Sequence, residues 1–368
     1  GPSLVAMAAS FAVLVAGPGV SWELLWVSLW ILAPVVAFLI SRPAILPSQR
    51  PLTDEDRWLF RRIARKTWRF FETFVTADTH HLPPDNFQET PRPVVATRTS
   101  PTNIGLYLLS TVAARDFGWV GLLDTLDRLK ATVGTVRSLA RHRGHLFNWY
   151  DTKDLHPLPP HYVSTVDSGN LAGHLWALAN ACREMMAEPI FRAESLQGLK
   201  DTLSQVEEAA RTLSADRRTG TVTGAHWKSA LSLMASGLGT VPETPQQWRA
   251  FLVELREKAE TLLDTARTLE GGKVDASRPE VVEWCELLLR QVNSHARDAE
   301  ELLAPADVPL STRLSDIPPL CLALEESHAL PASARGLLEA VRHSSAVAES
   351  GLRAVMEFAE DTIAGMGF

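Results

Sequence analysis

The chain has 368 residues, of which 46% are hydrophobic and 21% charged, enough for one or two domains with a buried core. Its net charge of −7 lacks the basic excess typical of nucleic-acid binding, so no nucleic-acid partner is predicted. The three cysteines (Cys182, Cys285, Cys321) are far apart and have no zinc-type spacing, which predicts reduced thiols and no metal site.

The first predicted element is a membrane segment. From Leu24 to Ile40 every residue is apolar except Ser28, and about 20 apolar residues are enough to cross a bilayer. We therefore predict one or two transmembrane segments within 1–42, with residues 1–19 as either a complete span or the end of one. A buried core helix is the alternative for this run.

Basic residues dominate the stretch that follows the apolar run. Between Arg42 and Arg69 there are eight arginines and lysines. The positive-inside bias then places the C-terminal side in the cytoplasm. The soluble part is therefore predicted to face the cytoplasm. The proline-rich residues 43–52 are predicted to be a linker.

The soluble part is predicted to be all-α. Thr53 followed by three acidic residues is a helix start, and the order Ser100-Pro101 marks another. Apolar residues then recur at helical spacing, whereas the best strand candidate is only the short run Gly220–Gly224. Further helices are predicted at Leu122–Val136, Ser168–Met186, Thr244–Leu269, Pro279–Leu303 and Ala332–Ala364.

Two long connectors carry the residues suited to chemistry, one from His80 to Asn103 and the other from Gly144 to Asn170. Both mix carboxylates, amides, hydroxyls and aromatic rings. That mixture suits sugars, because planar rings stack on the apolar faces of pyranoses while fixed polar groups hold their hydroxyls. The predicted substrate-binding residues are Asn103, Asn148, Trp149, Tyr150, Asp151, Asp167, Ser168 and Asn170, with Trp149 and Tyr150 as the stacking rings.

The connector carboxylates are also weak candidates for catalysis. Chemistry at a glycosidic bond uses a pair of carboxyl groups. We favour a role as sugar contact or loop organiser over catalysis for each of them, and N-capping explains Ser100 and Ser168 equally well. His80-His81 is predicted to be a solvated pair rather than a metal site. The candidate carboxylates are Asp85, Glu89, Asp151 and Asp167.

Three motifs in these segments resemble the cyclic β-1,2-glucan synthases. Residues 99–110 read TSPTNIGLYLLS, residues 144–154 read GHLFNWYDTKD, and residues 162–175 read YVSTVDSGNLAGHL. Together with the helix after Leu52 and the apolar run before it, the resemblance covers about residues 20–186. Residues 190–368 carry only an ordinary helical pattern.

The resemblance implies a modular enzyme. In that family a membrane glycosyltransferase makes linear β-1,2-glucan from UDP-glucose on a protein-linked primer. A middle (α/α)6 toroid closes the ring by retaining transglycosylation, and a phosphorylase-like region trims the chain. This chain would hold the last membrane helix and the first part of the toroid, with the remaining helices following Phe368. Its partners would be the glucan, the membrane and the adjoining modules, and its location would be the bacterial inner membrane.

The resemblance assigns no catalytic residue to this chain, since the family's catalytic glutamates lie in the later toroid. The fragment alone is therefore expected to be inactive. No glycine-rich phosphate loop is present, so no cofactor is predicted here and UDP-glucose would be used elsewhere in the full-length protein. The predicted domains are 1–42 membrane, 43–52 linker, 53–189 first part of the toroid, 190–345 helical insertion, and 346–368 resumed toroid.

Two alternatives remain open at this point. The chain could be a helical scaffold that tethers catalytic modules to the membrane, and the ordinary amphipathic helices of residues 190–345 favour this interpretation. It could also be a hydrolase or phosphorylase built on the same toroid.

Overall fold

The computed structural model describes residues 22–42, 51–214, 222–270, 280–303, 309–326 and 332–367. The chain forms two units, Gly1–Asp56 and Arg57–Phe368. In the first unit, helix α1 (Trp22–Ile40) contains Pro34. Among the helices of the described residues, none is both long and apolar enough to cross a bilayer. The predicted membrane helix is therefore not supported, and residues 1–21 lie outside the described residues.

The remaining described structure is dominated by helices, which confirms the all-α class. The helices are α2 (Asp54–Phe74), α3 (Pro101–Asp116), α4 (Leu122–Ser138), α5 (Thr165–Ala187), α6 (Ala193–Ser214), α7 (Val222–Gly237), α8 (Pro245–Glu270), α9 (Glu280–Leu302), α10 (Ile317–Glu326) and α11 (Ala332–Gly365). The described strands have two residues each: β1 (Phe87–Gln88), β2 (Val94–Val95), β3 (Arg98–Thr99), β4 (Arg141–His142), β5 (His145–Leu146) and β6 (Tyr150–Asp151). They form the antiparallel pairs β1–β2, β3–β6 and β4–β5.

Local sequence signals explain where most helices begin. At α2 the Thr53 hydroxyl accepts from the Asp56 N–H at 3.1 Å, and the Asp56 carboxylate accepts from the Thr53 N–H at 3.0 Å. These reciprocal bonds satisfy two backbone donors that a helix start leaves without partners. Ser100 likewise caps α3 through the Asn103 N–H. The helix starts predicted at Thr53 and Ser100 are confirmed.

Two local predictions are wrong. Helix α5 is capped by Ser164, whose hydroxyl accepts from the Asp167 N–H, so Ser168 lies inside the first turn instead of before it. Residues 222–224, the described part of the best strand candidate, begin helix α7 instead of forming a strand. Residues 215–221 lie outside the described residues.

The helices of the second unit form two large hydrophobic cores, and a smaller third cluster packs Trp68 of α2 against Tyr107 of α3. The first joins α3, α4 and α5 to α10 and α11, and includes Leu171, Leu175 and Leu178 of the predicted α5 stripe. The second joins α6, α7, α8 and α9, between Leu196 and Leu303. The predicted insertion, 190–345, extends beyond this second core, because Leu314, Ile317 and Val341 pack in the first. The domain boundaries and the partial (α/α)6 toroid stay predictions.

Helix α9 joins the two cores through buried polar side chains at the turn before α4. The Asp298 carboxylate accepts from the Leu122 N–H at 2.6 Å and the Leu123 N–H at 3.0 Å. The Ser294 hydroxyl accepts from the Gly121 N–H at 2.9 Å. The cap of α4 is thus supplied by α9, a helix far away in the sequence, and not by a residue next to α4. Gly121 has no room for a side chain, because a Cβ would lie 2.5 Å from Asp298.

The other side of this turn is held by the same helix. The Gly118 carbonyl accepts from Gln291 at 2.8 Å and from Nε2 of His295 at 2.9 Å. That His295 nitrogen must carry the proton, because a carbonyl only accepts. Burial lowers the pKa of His295, which favours the neutral ring that this geometry needs.

A fully buried arginine adds α2 to these buried polar contacts. Arg65 donates to Glu72 at 2.7 Å and to the Thr202 hydroxyl at 2.8 Å. Its guanidinium also lies over the rings of Trp284 and Trp119, at 5.2 and 5.8 Å. The charge is thus paired, as a buried guanidinium requires, and α2 is tied to the second core.

We expect the capping carboxylate to give a distinctive pH dependence of stability. Burial raises the pKa of Asp298 to about 7, although its two backbone donors lower it; an unfolded Asp has a pKa of about 3.9. The native state therefore binds the proton more tightly. The contribution of this proton binding to the free energy of unfolding is fully present below about pH 4 and is lost as the pH rises through about 7.

The test is urea denaturation of the wild-type chain and Asp298→Asn between pH 5 and 8. The difference in their free energies of unfolding should fall with rising pH, by at most about 1.4 kcal/mol per pH unit. Asp361→Asn, at an exposed position, is the control. Its difference in free energy of unfolding from the wild type should not change with pH. A pH-independent difference for Asp298→Asn would contradict the assignment.

Candidate functional site

The two long connectors lie side by side because short strands join them. Strand β3 pairs with β6, so that Arg98 lies opposite Asp151 and Thr99 opposite Tyr150. The Thr97 carbonyl also accepts from the backbone N–H of Thr152 at 2.9 Å. The structure thus brings together segments about 50 residues apart in sequence.

Helix α4 holds the beginning of the first connector. His80 and His81 both have a left-handed backbone, with φ of 50° and 58°, a conformation that is costly for residues other than glycine. Their carbonyls accept from the hydroxyls of Thr135 at 2.7 Å and Thr132 at 2.8 Å. Nδ1 of His80 lies 3.0 Å from the Thr152 carbonyl. His80 therefore anchors the connectors instead of forming a purely solvated pair with His81.

The first polar group of the site is centred on Asp85. Its carboxylate forms an ion pair with Arg98 at 3.0 Å and accepts from the Asn103 side chain at 3.3 Å. The Arg98 guanidinium lies over the ring of Trp149, 4.4 Å from its centroid. A guanidinium over an indole is a favourable cation–π arrangement. Arg98 therefore connects Asp85 to Trp149.

The second polar group is centred on the buried amide of Asn148. Its hydrogen-bond partners fix the amide orientation. The nitrogen donates to Asp167 at 2.9 Å, and the oxygen accepts from the Tyr162 hydroxyl at 2.7 Å and from the Trp149 indole N–H at 2.6 Å. Asn148 thus links the ring of Trp149 to the carboxylate of Asp167.

Residues in the first turns of α3 and α5 connect these two polar groups to each other. The Thr102 hydroxyl donates to Asp167 at 2.6 Å and accepts from the exposed Asn170 side chain at 3.1 Å. Thr102 is followed in the chain by Asn103, which contacts Asp85. We call this closed set of contacts the polar circuit; its members are Asp85, Arg98, Trp149, Asn148, Asp167, Thr102 and Asn103.

Some predicted contacts lie outside the polar circuit. Tyr150 is fully buried, and its hydroxyl donates to the Ala140 carbonyl at 2.5 Å and accepts from the Phe147 N–H at 2.7 Å. The sugar-stacking role predicted for Tyr150 is therefore wrong. Burial also raises the pKa of Tyr150 to about 12.

Ser168 and Asp151 are also occupied by local contacts. The Ser168 hydroxyl is buried and lies 3.1 Å from Nδ1 of His145, so its predicted sugar contact is not supported. The Asp151 carboxylate accepts from the Lys153 N–H at 2.7 Å, as in a turn. Its predicted role in sugar binding stays a prediction.

The four candidate carboxylates do not form one cluster. Asp85 and Asp167 belong to the polar circuit, and Asp151 organises its own turn. Glu89 lines a separate groove beside α2. This separation favours positioning and binding roles over a shared catalytic role.

Three members or neighbours of the circuit were not predicted: Arg98, Thr102 and Tyr162. All three lie inside or next to the sequence motifs, but their types alone do not single them out. Arg98 faces Trp149 only because β3 pairs with β6, and Tyr162 reaches Asn148 across the second connector. A spatial pairing of the connectors is the signal that would have identified them.

The polar circuit has the composition of a site for a neutral polyhydroxylated ligand. Trp149 is partly exposed, and Arg98 and Asn148 fix its ring. Amide, hydroxyl and carboxylate groups surround it and can exchange hydrogen bonds with hydroxyl groups. Such sites combine a large apolar surface with a few placed polar groups.

The chain is similar to a known protein over half of its length. No family model matches it. Over 192 residues, or 52% of the chain, it is 50% identical to the cyclic beta-(1,2)-glucan synthase NdvB of Rhizobium meliloti. The matched stretch spans only 7% of that protein's length. The resemblance indicated by the three motifs is confirmed, and it concerns a small part of a much longer polypeptide.

Removing the buried hydroxyl should destabilise the second connector. In Tyr150→Phe the Ala140 carbonyl and the Phe147 N–H lose their partner inside the protein. We expect a loss of about 1–3 kcal/mol in the free energy of unfolding, measured by chemical denaturation. In the control Tyr162→Phe the loss should be smaller, because Tyr162 is 46% exposed and water can replace the bond. Equal losses would argue against the structural role of Tyr150.

Proposed function

We propose that this chain binds linear β-1,2-glucan within a cyclic β-1,2-glucan synthase and presents it for ring closure by retaining transglycosylation. The identity with the Rhizobium synthase supports the family role. The observation that carries the binding role is the polar circuit, which holds Trp149 between Arg98 and Asn148.

The geometry around Trp149 suits stacking on a pyranose. The Trp149 N–H is bonded to Asn148 at 2.6 Å, and Arg98 lies over the ring. The ring is therefore held in one orientation before ligand arrives, which lowers the entropy lost on binding. An aromatic ring fixed in this way offers apolar area at little conformational cost.

The polar groups around the ring suit sugar hydroxyls. The carboxylates of Asp85 and Asp167 lie on the same circuit as Trp149, and the exposed Asn170 amide donates to its member Thr102. Carboxylates and amides accept from hydroxyls, and amides also donate to them. We propose that Asn103, Asp167 and Asn170 contact glucose units next to the stacked one.

The chemistry itself is proposed to lie elsewhere in the full-length enzyme. Retaining transglycosylation needs a nucleophile and an acid/base carboxyl about 5–5.5 Å apart. Three neighbouring side chains bind the Asp85 carboxylate and two bind the Asp167 carboxylate, which suits positioned acceptors. We therefore propose that another segment supplies the catalytic pair, and that UDP-glucose is used by another module. The inner-membrane location and the cytoplasmic orientation stay predictions.

A second candidate function is that of a helical scaffold. Helices α6 to α9 have a core of their own, and Ser294 and Asp298 of α9 bind the turn before α4. Both features favour this role for the second half of the chain. A scaffold predicts no saturable change in tryptophan fluorescence on addition of linear β-1,2-glucan, whereas the binding role predicts saturation.

The decisive variant is Trp149→Ala, made in the full-length synthase and in this chain. We expect cyclic product to fall while elongation of the linear chain continues. Glucan affinity of the chain should fall about tenfold, equivalent to ~1.4 kcal/mol, as followed by calorimetry. Trp58→Ala is a matched control, because Arg62 lies over that ring at 4.2 Å, much as Arg98 lies over Trp149. Unchanged cyclisation and binding in Trp149→Ala would refute the proposed site.

A further inference from the structure

A groove of about 800 Å³ lies apart from the polar circuit, between α2, α9 and the segment around β1. Its volume is within the range of small-molecule sites. Residues of both halves of the chain line it, since α2 and β1 precede the second core while α9 belongs to it.

One wall of the groove is aromatic. Phe74 lies between Phe70 and Phe87, with centroid distances of 5.2 and 4.9 Å. All three rings are only partly buried and line the groove. They form a row of three rings, with neighbouring rings tilted by 56° and 38°, which offers apolar area to a ligand with repeated apolar faces.

Most charges in the groove are already paired inside the protein. Arg69 forms ion pairs with Glu280 and Glu283. Lys66 pairs with Glu208, and Glu72 pairs with the buried Arg65. These groups therefore contribute little unbalanced charge to a ligand.

Three polar groups of the lining stay open. Glu89, Arg290 and Thr73 are exposed, and the described residues offer their side chains neither a hydrogen bond nor an ion pair. A carboxylate, a guanidinium and a hydroxyl together can both accept from and donate to sugar hydroxyls. The groove thus has an aromatic wall and unoccupied hydrogen-bonding groups.

The charge of the lining argues against anionic ligands. Five glutamates face three basic residues in it. The lining therefore offers no surplus of positive charge that could hold a nucleotide diphosphate. A neutral saccharide needs no such surplus.

We propose that this groove is a second binding site for the β-1,2-glucan chain, separate from the site at Trp149. The proposal rests on the proposed glucan-binding function and adds a second contact region to it. Glu89 is only four residues from Asp85 of the polar circuit, at most about 14 Å of extended chain. One long glucan can then occupy both sites, and linked binding raises its overall affinity.

The test compares a β-1,2-linked disaccharide with a long linear β-1,2-glucan by calorimetry on the full chain. The variant Glu89→Ala/Arg290→Ala removes the two charged open groups and leaves Thr73 and the aromatic wall in place. We expect about a tenfold loss of affinity for the long glucan and a clearly smaller loss for the disaccharide. The control Arg335→Ala/Glu339→Ala changes exposed charges of α11 outside the groove and should bind like the wild type.

The outcomes separate the two proposals. If the wild type binds neither sugar, the proposed function and the groove both fail. If the wild type binds, Trp149→Ala weakens binding and the groove variant matches its control, the groove alone is refuted. A loss for the long glucan in the groove variant that exceeds the loss in the control supports the second site.

Discussion

The capping of α4 by Asp298 is the contact on which the position of the site depends. The first amides of α4 find their acceptors on α9, at 2.6 and 3.0 Å. Helix α4 in turn holds the left-handed residues His80 and His81 through Thr135 and Thr132. The connector that begins there carries Asp85 into the polar circuit. A helix of the second core therefore sets the position of a loop that belongs to the first.

The polar circuit is stable because its members satisfy one another. Asn148 is only 6% exposed, and a buried amide without partners would be costly. Its three hydrogen bonds remove that cost and at the same time orient Trp149, Tyr162 and Asp167. Chains of bonds in a partly desolvated site also polarise one another. Order in the circuit is thus a property of the whole set, which prepares the site before a ligand arrives.

The sequence was sufficient to predict the structure wherever the contacts that determine it are local. Thr53 and Ser100 cap their helices through bonds to residues three positions away, and the stripe from Leu171 to Leu178 follows helical spacing. It was insufficient where the path of the backbone, rather than residue spacing within one helix, decides which groups meet. Tyr150 looked like an exposed stacking ring, but the Ala140 carbonyl and the Phe147 N–H hold it inside. Ser164 and Ser168 are both hydroxyls near one helix start, and only the backbone path decides which of them caps it.

Helix α9 shows why the second half of the chain looked like a mere scaffold. Gln291, Ser294, His295 and Asp298 are spaced as one face of a helix, yet that face is buried and polar. It is buried because it satisfies the backbone of the turn before α4. An earlier part of the same helix, with Glu283 and Arg290, lines the groove.

An amphipathic pattern counts a polar residue as solvent-facing. It therefore predicts that α9 has one packed face and one solvent-exposed face without contacts. In the folded chain α9 connects the cores with one set of polar residues and lines a groove with another. The scaffold role and the proposed binding role are therefore compatible within one helix.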